Sequence, residues 1–311
     1  MTPGDRARVV VTGVAGFIGS NLAARLLAEG YDVVGIDDLS YGVREQVPAG
    51  VEFHEMDIRS PEIHAVVRGA SALFHLAAKN CIADCQDDPL STASINVVGS
   101  VNVFEACRRG GVGKVVYAET SALYEGSAIL PTPESEAAPR SFYALSKAAE
   151  RHFADGYERF GGLRMTALRY FCVYGPRQDY RRTIPPVMSA FIIKLARGER
   201  PTIYGTGEKR RDFVYVDDVI SALVATATAP NINGQVINVG SGTETSVREL
   251  IKSVMDVTGT QAEVIYNAKS SGGVSRMRAD LTQASSKLNY QPSISLFDGL
   301  RLTLNRDPRF K

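Results

Sequence analysis

The chain has no tryptophan, and only four cysteines and four histidines among its 311 residues. Cys81, Cys85, Cys107 and Cys172 have no histidine beside them at metal-ligand spacing. Four thiols are too few to staple a chain this long. Neither a metal site nor a disulfide framework is expected. An excess of one charge is also missing, with 35 Lys and Arg against 34 Asp and Glu. That excludes the basic surplus of a nucleic-acid binder. An anionic ligand must therefore be met by a few placed groups. No apolar run is long enough to span a bilayer. The opening MTPGDRARVVVTG enters a strand without the apolar core of a signal peptide. The reading is a protein of a reducing compartment, the cytoplasm, with neither membrane nor nucleic acid as a partner.

What is present is a regular alternation of short apolar runs and helical periodicity. Strands are expected at 8–13, 33–37, 51–57, 72–77, 114–119 and 165–170. Helices are expected at 20–29, 61–69, 91–109 and 142–160, where apolar side chains recur every three or four residues. Alternation of this kind predicts an α/β fold, a doubly wound parallel sheet covered by helices on both faces. The pattern becomes irregular after about residue 170. The expected organisation is a dinucleotide-type domain over 1–170, with 209–240 crossing back to it. A smaller lobe would then comprise 171–208 and 241–311.

The first strand ends in Thr12-Gly13-Val14-Ala15-Gly16-Phe17-Ile18-Gly19, and a helix follows. Glycine permits the positive φ of a tight turn and brings backbone N–H groups close to a pyrophosphate at a helix N-terminus. A glycine triplet alone is equally an ordinary turn. Asp37, at the end of the second strand, decides for the dinucleotide. A carboxylate there accepts hydrogen bonds from a ribose and repels a 2′-phosphate, which favours NAD over NADP. Asp57 and Ile58 end the third strand, and Leu76, Ala77 and Ala78 end the fourth; these are further candidate cofactor contacts, with core packing as the plain alternative for the apolar ones.

Tyr143 and Lys147 share one helix face at i and i+4. A phenol is a poor base at neutral pH, and a neighbouring ammonium favours its phenolate. Such a phenolate removes a hydroxyl proton while hydride leaves the same carbon. Taken alone, the pair also reads as a solvated helix surface. Thr120 and Ser121 shift the balance, because they lie at a strand carboxyl end, where open α/β sheets meet ligands.

Together TGVAGFIGSNL, YALSK, RYFCVYGPRQ and GTGEKRRDFVYVDDV resemble the extended short-chain dehydrogenase/reductase family, and within it the NAD-dependent sugar-nucleotide epimerases and dehydratases typified by UDP-glucose 4-epimerase. The resemblance spans nearly the whole chain and implies a Rossmann-type fold with NAD bound. It assigns Gly13, Gly16, Phe17, Ile18 and Gly19 to the pyrophosphate, Asp37 to the adenosine ribose, and Asp57 with Ile58 to the adenine. It places Asn96 near the cofactor. Tyr143, Lys147 and Thr120 become the catalytic set, with Thr120, Ser121, Tyr143 and Cys172 touching substrate. Arg211 would contact the substrate diphosphate, with Arg276 or Arg278 as a second contact.

The resemblance implies 4-epimerisation through a transient 4-keto sugar. Related 4,6-dehydratases typically carry Asp-Glu after the catalytic threonine, and decarboxylases usually keep a glutamate at the second position. Here those positions are Ser121 and Ala122. A dehydratase or decarboxylase is the alternative enzyme, and a non-catalytic NAD-binding protein the remote one. Five departures stand out: Glu119 for a small residue, Glu125 for glycine, Phe142 for proline, Cys172 for asparagine, and Ser-Gly-Gly-Val at 271–274 where Pro-Gly-Asp is common. Glu119 or a cysteine as an unusual acid or base would make a variant dehydratase. The helices at 91–109 and 142–160 resemble those of a family dimer, which implies a homodimer with Leu145, Ala149, Phe153 and Tyr157 partly interfacial.

Overall fold

Val9, Val10 and Val11 form a β-branched run that Gly13 terminates, and they lie fully buried at the centre of the sheet. The computed structural model of the protein describes residues 6–179, 184–268 and 273–310. In chain order the first half comprises β1 (Arg8–Thr12), α1 (Phe17–Ala28), β2 (Asp32–Asp37), β3 (Glu52–Glu55), α2 (Ile63–Val66), β4 (Ala72–His75), α3 (Ile82–Asp87), α4 (Pro89–Ala93), α5 (Ser100–Gly110), β5 (Val115–Thr120), α6 (Phe142–Gly161) and β6 (Met165–Tyr170). The second half comprises β7 (Cys172–Tyr174), α7 (Val187–Ala196), β8 (Thr202–Tyr204), β9 (Arg210–Arg211), β10 (Phe213–Tyr215), α8 (Val216–Thr228), β11 (Gln235–Val239), β12 (Thr245–Ser246), α9 (Val247–Thr258), β13 (Ile265–Asn267), α10 (Thr282–Leu288) and α11 (Leu296–Arg306).

Seven strands form one parallel sheet in the order β11-β6-β5-β4-β1-β2-β3. Strand order reverses at β1, so a crevice opens between the carboxyl ends of β1 and β4, where a doubly wound sheet receives its ligand. The fold is a Rossmann-type α/β fold. Helices α1 and α8 cover one face of the sheet; α2, α5 and α6 cover the other. The apolar cluster under α1 and α8 continues into α7, α9 and α11, so the smaller elements after Tyr170 share that core. Three two-stranded pairs, β7 with β10, β8 with β13 and β9 with β12, lie outside the large sheet.

The helix expected at 91–109 is interrupted. Between α4 and α5, Ser94–Gly99 forms π-helical turns. Such widening recurs at functional sites because it re-aims a side chain without ending the helix; here the side chain is Asn96. Among the described residues no helix is long and apolar enough to cross a membrane.

Candidate active site

The glycine turn is built for close approach. Gly13 has φ +73°, and a Cβ there would stand 2.8 Å from the backbone nitrogen of Ala77. At Gly19 a Cβ would overlap the Gly13 carbonyl. A side chain at Gly13 would collide with the backbone after β4, and one at Gly19 with the turn itself. The turn opens into one cavity lined by Gly13, Gly16, Phe17, Ile18 and Gly19, and also by Asp37, Asp57, Ile58, Leu76, Ala77 and Ala78. Tyr143 and Lys147 line the same cavity. The donor set suits a dinucleotide: a helix N-terminus without a side-chain cap at one end, and a carboxylate beyond it. Asp37 accepts backbone hydrogen bonds from Ala15 at 3.0 Å and Leu39 at 2.9 Å, while burial pushes its carboxyl up. Asp57 is tied to Arg59 through its backbone N–H and guanidinium, which lowers its pKa and fixes the cavity wall.

Lys147 is buried and paired with Glu150, one turn further along α6. Thr120 caps a short 3₁₀ turn, its hydroxyl accepting from the Ala122 N–H at 3.1 Å. Ser121, buried, follows it. The side chain of Tyr143 is half-buried at the start of α6.

A second cavity adjoins this region. Its wall includes Asn80, Cys81, Gln86, Glu125, Arg140 and Arg211. Asn80 lines both cavities. Arg211 sits on β9, its guanidinium also donating to the Arg210 carbonyl at 2.8 Å. Cys172, on β7, lies within electrostatic reach of Arg211 and Asp212. Burial pushes its thiol up to about 11, so it is protonated at neutral pH and is no nucleophile there.

Two of the expected contacts have other partners in the structure. Arg276 forms an ion pair with Glu244 and borders a depression with Thr206, Lys209 and Arg210, separate from the cavity that Arg211 lines. One residue pair on, Arg278 has a buried Nε without a hydrogen-bond partner among the described residues. Asn96 does not line the cavity either. Its amide is fully engaged, receiving the Lys79 N–H at 2.8 Å and donating to the Lys79 carbonyl and the Ser146 hydroxyl, both at 2.9 Å. Asn96 thereby clamps the loop after β4 to α6 at Ser146, next to Lys147.

The departures at 119 and 125 have partners that spacing along the chain does not show. Glu119 forms a buried ion pair with Arg169 at 2.7 Å, and Arg169 continues to the Tyr124 hydroxyl at 2.8 Å. Tyr124 donates to Asn238 at 2.7 Å. This bridges β5, β6 and β11 and engages Glu119 structurally. Glu125 accepts from the backbone N–H groups of Arg140 and Ser141 and from the Ser141 hydroxyl. Ser141 is the N-cap of α6, so Glu125 fixes the start of the helix that carries Tyr143. The stretch 271–274 lies partly outside the described residues.

Sequence reasoning missed Lys79, a buried cation at the cavity, and Asp212, which pins two separate segments. Asp212 accepts from the Ser241, Gly242 and Ala279 backbones and the Ser241 hydroxyl. No local pattern marks either residue; only a lysine beside a strand end hints at the first.

The profile of the NAD dependent epimerase/dehydratase family matches residues 9–240. The chain belongs to this family. Among curated relatives, the UDP-glucose 4-epimerase of Mycolicibacterium smegmatis is 37% identical, the match covering 96% of this chain and 97% of that one. Among solved structures, UDP-glucose 4-epimerase of Thermotoga maritima with UDP-glucose superposes with a TM-score of 0.92 at 35% identity, covering 96% of this chain and 97% of that one. The Thermus thermophilus UDP-glucose 4-epimerase complex with NAD gives 0.88 at 33% identity, covering 96% and 98%. The epimerase/dehydratase family thus contains proteins whose architecture matches this chain over nearly its full length.

Proposed function

We propose that the protein is an NAD-dependent 4-epimerase of a nucleotide-activated sugar, a UDP-hexose, uronate or hexosamine. One observation carries this reading. Tyr143 and Lys147 line the same cavity as the glycine turn and Asp37, while positions 121 and 122 offer no carboxyl group. The relatives named above support it.

Gly13, Gly16 and Gly19 with the start of α1 would hold the pyrophosphate of NAD, and Asp37 its adenosine ribose. When bound, NAD supplies the acceptor and donor of hydride at sugar C4. The protein's own work is then proton transfer, orientation and exclusion of water. Tyr143 Oη takes the proton of the C4 hydroxyl and later gives one back to the 4-keto oxygen. Lys147 supports the phenolate. Thr120 and Ser121 offer hydroxyls at the β5 end to orient the reacting oxygen, and Arg211 faces the second cavity as a fork for the diphosphate. Elimination of water needs a separate acid and base. Glu119 is paired with Arg169, and Cys172 keeps its proton, which weakens the dehydratase alternative. The test is incubation with UDP-glucose, UDP-glucuronate and UDP-N-acetylglucosamine followed by mass analysis. A product isomeric with its substrate is expected; loss of water or CO₂ would refute the reading.

For the diphosphate, Arg211→Ala and Arg278→Ala are each expected to raise KM roughly 10- to 100-fold, the effect of losing a charge-assisted hydrogen bond of about 1.5–3 kcal/mol. Arg276→Ala is expected to change KM less than about 2-fold, because its exposed ion pair lies elsewhere. Steady-state kinetics on the three variants distinguish the roles.

The same reading divides the chain into a cofactor domain of 1–170 with 209–240, and a substrate lobe of 171–208 and 241–311. Support comes from β11 beside β6 and α8 on α1. It also gives a homodimer working in the cytoplasm. On the α4–α5 and α6 side, Leu90 is 82% exposed, and Val98, Phe142, Leu145 and Phe153 are each over two-fifths exposed. An apolar patch of this kind is characteristic of an interface. Leu145 and Phe153 are thus placed outward, with Ala149 and Tyr157 half-buried between them. Phe153→Arg is expected to shift the protein to monomer in light scattering; an unchanged mass would remove this face as the interface.

A further inference from the structure

Beneath the catalytic helix lies a buried polar chain that the proton-transfer step does not use. Thr12, at the end of β1, accepts N–H groups from Leu76 at 3.2 Å and Ala77 at 3.3 Å. Those two bonds occupy its lone pairs, so its hydroxyl proton points to His75 Nδ1, 2.7 Å away. The His75 proton then sits on Nε2 and donates to the Ser100 hydroxyl at 2.9 Å. Ser100 in turn donates to the Asn96 carbonyl at 2.7 Å. Glu150 closes the chain. One of its oxygens stands 3.8 Å from His75 Nε2, and the other pairs with Lys147. Thr12, His75, Ser100, Lys147 and Glu150 are all 5% exposed or less.

Burial and then the Lys147 charge push His75 down to about 3, so it is neutral at any working pH. It orients the chain and carries no charge to Glu150. Among the described residues, the cation that acts on Glu150 is Lys147. The other titratable groups around it are His75 from β4, and Tyr117 and Glu119 from β5. Tyr117 is held neutral by burial, and Glu119 already has Arg169. Burial also raises the Glu150 carboxyl, and the Lys147 charge opposes that.

We propose that Glu150 is a positioning residue that holds Lys147 in place from below and offsets part of its charge, so that Tyr143 ionises at a higher pH than it would beside an uncompensated ammonium. The inference rests on Tyr143 and Lys147 acting as the pair described above. An ammonium stabilises a phenolate by Coulomb attraction; a carboxylate on its other side subtracts from that field. Removing the carboxylate while keeping an amide of equal size leaves more of the field on Tyr143. The phenolate then forms at lower pH.

The test is Glu150→Gln in the NAD-loaded enzyme, read by the near-ultraviolet phenolate absorbance that Tyr143→Phe removes. The titration midpoint is expected to move down by about half to one pH unit, and the acidic limb of the kcat profile should move with it. A midpoint that stays put or moves up overturns the proposal, since a purely structural glutamate would lower kcat without shifting the curve downward. Should the variant fail to fold, carbon-13 NMR of the glutamate carboxyls in the unaltered holoenzyme gives the answer. The buried glutamate carboxyl must already be ionised at the pH where the Tyr143 phenolate appears; a carboxyl still protonated there overturns the proposal. A shifted phenolate in a protein that turns over no nucleotide sugar would sink the epimerase reading alone. Full epimerase activity with an unmoved phenolate would sink only this one.

Discussion

Tyr143→Phe is expected to lower kcat by about 10²–10⁴-fold, the usual contribution of a positioned acid–base group, while NAD remains bound. The argument is local. Tyr143 lines the cavity together with Lys147, the glycine turn and Asp37. Phenylalanine keeps the ring and deletes only the hydroxyl, so α6, its Ser141 cap and the Glu125 contacts persist. KM is expected to change little by comparison, because the diphosphate arginines are untouched. Steady-state kinetics with measurement of NAD released on acid denaturation checks both halves. A variant that keeps full turnover would remove the phenol from the mechanism.

Gly13→Ala is expected to act at the cofactor rather than at the chemistry. Position 13 has φ +73°, and the added methyl would stand 2.8 Å from Ala77 N and 2.9 Å from the Leu76 carbonyl carbon. Both are backbone atoms at the end of β4 and do not yield as a flexible side chain would. The left-handed conformation costs roughly 1–2 kcal/mol for an L-residue, and overpacking roughly 1–3 kcal/mol more. Together these correspond to a loss of roughly 30-fold to several-thousand-fold in folding equilibrium or NAD affinity. A melting curve with and without added NAD separates the two. The expected outcome is a lowered midpoint and a much reduced NAD content after purification. Wild-type NAD content would show that the turn does not approach the cofactor closely.

The sheet was readable because its signals are local. A run such as Val9-Val10-Val11 ended by Gly13, or the spacing of Tyr143 and Lys147, is complete within a few residues, and each forms the element or face expected of it. The interruption at Ser94–Gly99 was not readable: a π turn changes the helix period for one residue's benefit, and the apolar spacing around it still looks helical. Partners distant in sequence were hidden for a different reason. Glu119 finds Arg169 across β5 and β6, 50 residues away, and Asp212 gathers Ser241 and Ala279. From the chain alone Glu119 was a candidate acid or base. The structure gives it a counter-ion and a place in the scaffold. Arg276 and Arg278 show the limit of adjacency. They lie two residues apart, yet one is spent on Glu244 and the other has a buried Nε with no hydrogen-bond partner among the described residues. Asn96 was placed near the cofactor by resemblance. Its amide supports the loop and helix that border the cavity.

The most direct measurement uses UDP-galactose carrying deuterium at C4. If Tyr143 manages the hydroxyl proton while hydride leaves and returns at that same carbon, the UDP-glucose formed keeps the label at C4 and the full mass of its substrate. Deuterium lost to solvent, or a product lighter by water, would contradict the account.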